Sequence, residues 1–268
     1  MDRVASLGLN ARVAETNVYR KITWRIMPFI VVCYLCAYLD RVNVGFAKLQ
    51  MMSDLGFSDA VYGFGAGIFF IGYFLFEVPS NLALHRLGAR VWIARIMITW
   101  AIISALTLLV ATPLQFYVAR FFLGLAEAGF SPGIMLYLTY WFPAKKRGFA
   151  LGFYYIAIPL AGVVGGPVSG LILEHFAGST VMKAWQWLFL LEAAPSLLAG
   201  IAVLFLMVDK PEQASWLTEA EKAEVNAELR REDGEKIVHG SSAAFLRVRP
   251  RSQGDRARRL TRIMTAAA

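Results

Sequence analysis

Six stretches of this 268-residue chain stay apolar for long enough to cross a bilayer as helices. A hydrocarbon core of about 30 Å takes about 20 residues of helix. The qualifying stretches lie near 24–46, 60–84, 91–111, 114–141, 148–173 and 185–208. They predict an all-α membrane protein built as a six-transmembrane-helix bundle. Composition agrees, with 57% hydrophobic residues, 17% charged residues and a mean hydropathy of +0.53. Ordinary globular domains are less apolar.

The formal charge of +8 would suggest nucleic acid in a soluble protein. Here the cations sit mostly in the loops and the final segment, so they read as topology signals. Arg3, Arg12, Arg20, Lys21 and Arg25 precede or open the first span; Arg86, Arg90 and Arg95 follow the second; Lys145, Lys146 and Arg147 follow the fourth. The alternate connections are poorer in cations. This alternation places the N-terminus and the loop after the sixth span in the cytoplasm. The polar start of the chain lacks the short apolar region and small-residue cleavage site of a secretory signal.

Four regions follow: a cytoplasmic N-terminal segment (1–23), the bundle (24–208), a cytoplasmic connector with an amphipathic helix (209–242) and an Arg-rich tail (243–268). In the connector, Thr218 and Glu221 have capping-box spacing ahead of mixed charges at helical spacing. The tail has no periodic apolar face and is expected to be disordered; an RNA- or lipid-binding tail is the alternative. "GFGAGIFFI" from Gly63 and "GFALGFYYI" from Gly148 share a pattern. This suggests that spans one to three and four to six are inverted repeats.

Cys33 and Cys36 form a C-x-x-C inside an apolar helix without a second ligand pair, so they read as small hydrophobes. No metal site, cofactor, catalytic triad or phosphate-binding Gly-rich loop is apparent, and the chain is not expected to be an enzyme or to use ATP.

The anomalous residues are charged ones at membrane depth. In "CYLCAYLDRVNVGF", Asp40 and Arg41 lie about 22 Å along the helix from Arg25. In "RFFLGLAEAGFSPG", Arg120 and Glu127 are almost two turns apart and share a face. An ionisable group here costs several kcal/mol unless it faces protein or water, or is paired. A single polar cavity lined by the first and fourth helices is therefore expected. Asp40 would pair with Arg41 or Arg120, leaving Glu127 without a cation. A carboxyl so placed can carry a proton near neutral pH, the chemistry of a relay. The alternative is a set of buried salt bridges that only ties helices together. Glu77 is expected to form an ion pair with Arg86 or Arg90. Gly162, Gly165, Gly166, Pro167 and Gly170 permit close packing and a bend in the fifth span.

The chain resembles the major facilitator superfamily. "RFFLGLAEAG" is similar to its fourth-helix motif, "GVVGGPVSG" to its fifth-helix motif, and "NLALHRLGAR" occupies its loop motif between spans two and three. In that loop His85 stands for the usual Asp, Asn81 for the first Gly and Ala89 for a basic residue. "YLDRVNVGFA", "GIFFIGYFLFEVPSN", "WFPAKKRG" and "WQWLFLLEAAPS" resemble the anion:cation symporters, in particular bacterial tartrate transporters. The resemblance implies proton-coupled symport of an organic anion, such as tartrate or a sugar acid, across a bacterial-type inner membrane. It implies proton coupling at Asp40 and Glu127, and substrate binding at Arg41 with Tyr38 and Tyr73. Arg120 would support the relay, and Gly162, Gly166, Pro167, Arg86, Gly88 and Arg90 would form conformational motifs. The implied partners are the anion, the proton, the lipid bilayer and a second six-helix half or a second copy of the chain. Family members have twelve helices, so a truncated or frameshifted product is expected. A non-transporting membrane fragment is the competing reading, and a membrane sensor with a lipid-binding tail a third.

Overall fold

The computed structural model describes residues 2–247, with side chains from 17 to 232 and at Gly234. The described residues form helices and connecting turns. Contacts divide the chain into two units, Met1–Val225 and Asn226–Ala268. The described part of the second unit is helical.

The first unit contains α1 (Asp2–Leu55), α2 (Asp59–Leu87), α3 (Ala89–Leu106), α4 (Pro113–Glu127), α5 (Phe130–Thr139), α6 (Ala144–Tyr155), α7 (Ala157–His175), α8 (Ala184–Leu206) and the start of α9 (Glu219–Arg247). Six candidate spans result: Asn17–Leu55, Asp59–Leu87, Ala89–Leu109, Pro113–Thr139, Ala144–His175 and Ala184–Leu206. The fourth comprises α4 and α5, and the fifth α6 and α7.

The first helix exceeds its expected range of 24–46 at both ends, because the flanking segments 2–23 and 47–55 contain no proline to stop it and continue the same helix. Helix α2 starts on Ser58, whose hydroxyl accepts from the Val61 N–H at 3.3 Å. Helix α4 opens with Pro113 and a capping box between Thr112 and Gln115, so two orphan donors are satisfied reciprocally. The fifth span breaks at Ile156, while Pro167 lies within the unbroken α7. Pro159 has no N–H for the carbonyl four residues back, that of Tyr155, where α6 ends.

Packing follows the repeat. Span two packs on span four, and span five on span one. Span three packs on span four, span six on span one, and spans three and six on each other. Exchanging the first three spans with the last three maps this pattern onto itself. Spans two and four cross with their backbones in contact, since a Cβ on Gly72 would collide with the Phe121 carbonyl, and one on Gly124 with that of Phe69. Small residues permit such an approach.

The chain after α8 folds back on the bundle. Asp209 Oδ1 accepts from the Arg90 N–H at 2.8 Å, and Tyr137 donates to the Val208 carbonyl at 2.9 Å. Trp216 stacks on Trp141 with centroids 5.5 Å apart. The expected capping box forms: Glu221 accepts from the Thr218 N–H at 2.8 Å, and Thr218 Oγ1 from the Glu221 N–H at 3.3 Å. Helix α9 continues to Arg247, five residues into the segment expected to be disordered. The rest of that segment, 248–268, lies outside the described residues.

Candidate functional site

Asp40 and Arg41 are adjacent on α1, so their side chains diverge by about 100° around the helix axis. Arg41 turns toward α2 and α4, where its Nη2 donates to Glu127 Oε1. Asp40 turns toward α3 and α8. It accepts from Trp100 Nε1 at 3.0 Å, from Ser104 Oγ at 3.0 Å and from Ser196 Oγ. These donors compensate for lost hydration of the carboxyl group.

The expected pairing is therefore corrected at both ends. Among the described residues Asp40 has no cation within salt-bridge distance, and Glu127 has one. Arg41, Arg120 and Glu127 come together where spans one and four face span two, and Asp40 does not join them.

Arg120 is 4% exposed, and its guanidinium lies 4.8 Å from the Phe69 ring centroid. Arg41 lies 5.7 Å from the same ring and 5.5 Å from that of Tyr73. Such cation–π contacts offset some of the cost of burying a guanidinium. Arg120 Nε and Nη1 and Arg41 Nε have no hydrogen-bond partner. The Arg41 side chain is 31% exposed and that of Glu127 5%. Two guanidiniums thus face one carboxylate, leaving a surplus of one positive charge beside an accessible arginine.

Span four bends immediately after Glu127. Helix α4 ends there, and Gly129 adopts φ 85° before α5 begins. A side chain is strained at that φ, and a Cβ would also strike Ser80 of α2. Tyr73 adjoins the arginine pair. Tyr38 belongs to another aromatic group, 6.4 Å from Tyr34, which stacks on Tyr154 at 4.2 Å.

These charges lie apart from the wholly apolar groove of about 470 Å³ between α3 and α8, lined by residues such as Ala101, Ala105, Leu190 and Leu197.

Residues 30–261 match the family description Major Facilitator Superfamily. The chain belongs to the major facilitator superfamily. A protein of Agrobacterium vitis provisionally named a tartrate transporter is 57% identical over 215 residues, covering 80% of this chain and 48% of that protein. A Pseudomonas putida protein provisionally named metabolite transport protein NicT is 55% identical over 218 residues, covering 81% and 50%. The chain spans about half the length of these curated relatives. Among solved structures, a bacterial homologue of the human lysosomal transporter Spinster superposes with a TM-score of 0.62 at 23% identity, covering 72% of this chain and 45% of that one. The xylose transporter XylE of Escherichia coli, in a partially occluded inward-open form, gives 0.62 at 15% identity, covering 81% and 57%. At these identities the structures show the shared fold. The chain is thus a multi-pass membrane protein of a transporter superfamily, not an enzyme.

The stretch that resembles the superfamily's loop motif lies at the α2–α3 junction. Gly88 makes the turn at φ 87°, Arg86 is exposed in the last turn of α2, and Arg90 lies in the first turn of α3. His85, which stands where the motif has Asp, approaches Tyr140 at 3.4 Å. The carboxylate at this junction comes from Asp209. The expected ion pair of Glu77 with Arg86 or Arg90 does not form among the described residues. Nine residues of helix separate Glu77 from Arg86, a rise of about 13 Å. Gly162 and Gly166 have open space where a Cβ would stand, whereas Gly165 packs on Leu39.

Several participants were missed by sequence reasoning. Trp100, Ser104 and Ser196 around Asp40 are ordinary helix residues in sequence, and Phe69 reads as one more apolar residue. Glu192 is different. It lies nine residues into the 23-residue apolar α8 and satisfies the same depth criterion that selected Asp40.

Proposed function

We propose that this chain forms the six-helix half of a proton-coupled carrier for a small organic anion, a carboxylate of the tartrate or sugar-acid class. The observation that carries the reading is the Arg41–Glu127 pair with Arg120 beside it. Glu127 holds the most accessible guanidinium of the site with the same chemistry that a substrate carboxylate would use. Substrate and Glu127 therefore compete for Arg41. A proton taken up on Glu127 ends that competition and releases Arg41 Nη2 to the anion, so proton and anion bind together. Arg120 keeps the site attractive to an anion in either state. A guanidinium suits this task because it binds carboxylate bidentately.

Asp40 serves proton coupling at a separate position. Its three donors hold it between α1, α3 and α8, where a change in its charge acts on helix packing. Tyr73 and Tyr38 contribute to the substrate cavity, and the Gly88 turn with Arg86 and Arg90 to the conformational cycle, along with Gly162, Gly166 and Pro167. Alternating access requires this bundle to move against a second six-helix half or a second copy. Cation alternation in the loops supports an inner-membrane orientation with both ends cytoplasmic.

Labelled tartrate tests the reading with the chain in nanodiscs and in proteoliposomes. Binding that tightens with acidification and is lost in Arg41→Ala supports it, and uptake driven by an inward proton gradient extends it to the carrier. Binding without uptake indicates the competing reading, a membrane chain that does not transport by itself. Binding that ignores both pH and Arg41 would overturn the assignment of the site.

A further inference from the structure

A second buried acid lies on the side of the bundle away from Arg41. Glu192 of α8 is 6% exposed. Its Oε1 accepts from Ser169 Oγ of α7 at 2.6 Å, and its Oε2 has no hydrogen-bond partner. Ser196, one turn further along α8, donates to Asp40. Four residues of helix are a rise of about 6 Å, so Glu192 lies about one turn of α8 from the level of Asp40. Neither acid has a cation within salt-bridge distance among the described residues.

Helix register adds a third polar group. The bonds Ser196–Asp40 and Trp185–Asp54 fix α1 and α8 as antiparallel. Gly165 meets Leu39, and the fifth span crosses in the same direction as the first, which sets the register of α7 parallel to α1. Both registers bring Asn43 to the level of Ser169 and Glu192. Asn43 is fully buried, and neither atom of its amide has a partner. The groups around the two acids are thus Trp100 and Ser104 from α3, Ser169 from α7, Ser196 from α8, and Cys36 and Asn43 from α1. None of these supplies a positive charge.

Two ionised carboxylates in apolar surroundings without a cation are costly. One proton shared between them lowers their joint charge from −2 to −1 and supplies a donor. We propose that Asp40 and Glu192 form a proton-sharing carboxyl pair, with Glu192 a proton-binding residue that acts through Asp40. Interacting acids of this kind titrate as a pair. Uptake forms one O–H bond and requires no other reactant. The use of this proton in transport rests on the function proposed above; its binding does not.

Infrared difference titration of the chain in phospholipid nanodiscs, in sodium-free buffer, tests the pair without requiring transport. Protonated carboxyls report through their acid carbonyl stretch, and Asp40→Asn identifies the Asp40 component. Glu192→Gln should remove a second component and weaken proton binding by Asp40 about tenfold, since the neighbouring acid is gone. Ser169→Ala keeps Glu192 and should shift the frequency of its component. Circular dichroism and nanodisc homogeneity verify folding. A Glu192→Gln titration superimposable on wild type, or an Asp40 midpoint unmoved by it, overturns the proposal. So does a Glu192 component unchanged in Ser169→Ala, or one that follows added sodium at fixed pH. If the pair titrates as stated but Asp40→Asn leaves proton-driven uptake unchanged, the inference stands and Asp40's role in coupling falls.

Discussion

Arg41 of α1 donates to Glu127 of α4, while its neighbour Asp40 is held on the other side of α1 by α3 and α8. Adjacent residues of one motif therefore serve two sites. The first is a charge pair with an accessible guanidinium, the second a carboxyl group enclosed by neutral donors.

Loss of Arg41 should weaken anion binding by about two orders of magnitude, within the range for truncating one member of a hydrogen-bonded charge pair. It also removes the hydrogen-bonding cation of Glu127, which is 4% exposed, and leaves Arg120 as its neighbouring positive charge. Breaking a fully buried pair from one side costs about 3–5 kcal/mol; the cost here should fall below that range, because Arg41 is partly exposed and Arg120 remains. Arg41→Ala should therefore lower the unfolding midpoint in detergent, and the double variant Arg41→Ala with Glu127→Gln should recover part of the loss. Equal midpoints in the single and double variants would show that the pair contributes no coupling energy.

Glu127→Gln imitates the protonated acid. Tartrate binding should lose its dependence on pH and stay at the level that wild type reaches in acid. In a carrier assembled with its second half, counterflow exchange should persist while accumulation driven by a proton gradient disappears. Unchanged accumulation would remove Glu127 from the coupling mechanism.

The close crossing of α2 and α4 predicts sensitivity to a single methyl group. At Gly72 or Gly124 an added Cβ meets backbone, which cannot swing aside as a flexible side chain can. Overpacking of this kind costs about 1–3 kcal/mol. Gly124→Ala and Gly72→Ala should each lower the unfolding midpoint, whereas Gly152→Ala, with open space at its Cβ, should not. These helices carry Phe69, Tyr73, Arg120 and Glu127, so the first two changes should also weaken anion binding.

Apolar length made the six spans legible, because length and hydropathy are properties of a segment alone. The Thr218–Glu221 cap was legible for the same reason, since both partners lie within one turn. Depth marked Asp40, Arg41, Arg120 and Glu127 as unusual. Their pairing was not legible, because the neighbour that each side chain meets depends on how α1 is rotated against α2, α3, α4 and α8. Depth alone made Asp40 and Arg120 look like partners, and the roughly 100° between Asp40 and Arg41 decided otherwise. The donors to Asp40 come from α3 and α8, at separations of 60 to 156 residues. The break at Ile156 was readable from Pro159 by the rule that a proline frees the carbonyl four residues earlier.

Asp209 joins the loop after α8 to the start of α3 through the Arg90 N–H, and its carboxylate also lies against Gly88. Removing a side-chain acceptor at a helix start costs about 1 kcal/mol. Asp209→Ala should speed hydrogen exchange at the first amides of α3 by about fivefold, with no change in the middle of that helix. Uniform exchange along α3 would mean that Asp209 does not hold the turn.

The tie between Lys21 of α1 and Glu221 of the connector should depend on pH. The Lys21 ammonium, 2.8 Å from the Glu221 carboxylate, and the Thr218 N–H hold that carboxyl below its ordinary value of 4.5. A lowered folded-state value means that the contribution is fully present above about 4.5 and is lost as pH falls through the folded value. The pair is exposed, so its contribution lies between about 0 and 1 kcal/mol and is screened by salt. Protection of the first turn of α9, measured by hydrogen exchange and corrected for the intrinsic effect of pH, should fall on acidification below pH 4.5. Lys21→Ala should remove most of that dependence, and what remains should reflect the cap at Thr218. Protection that is equally dependent on pH in the variant would assign the effect to the cap alone.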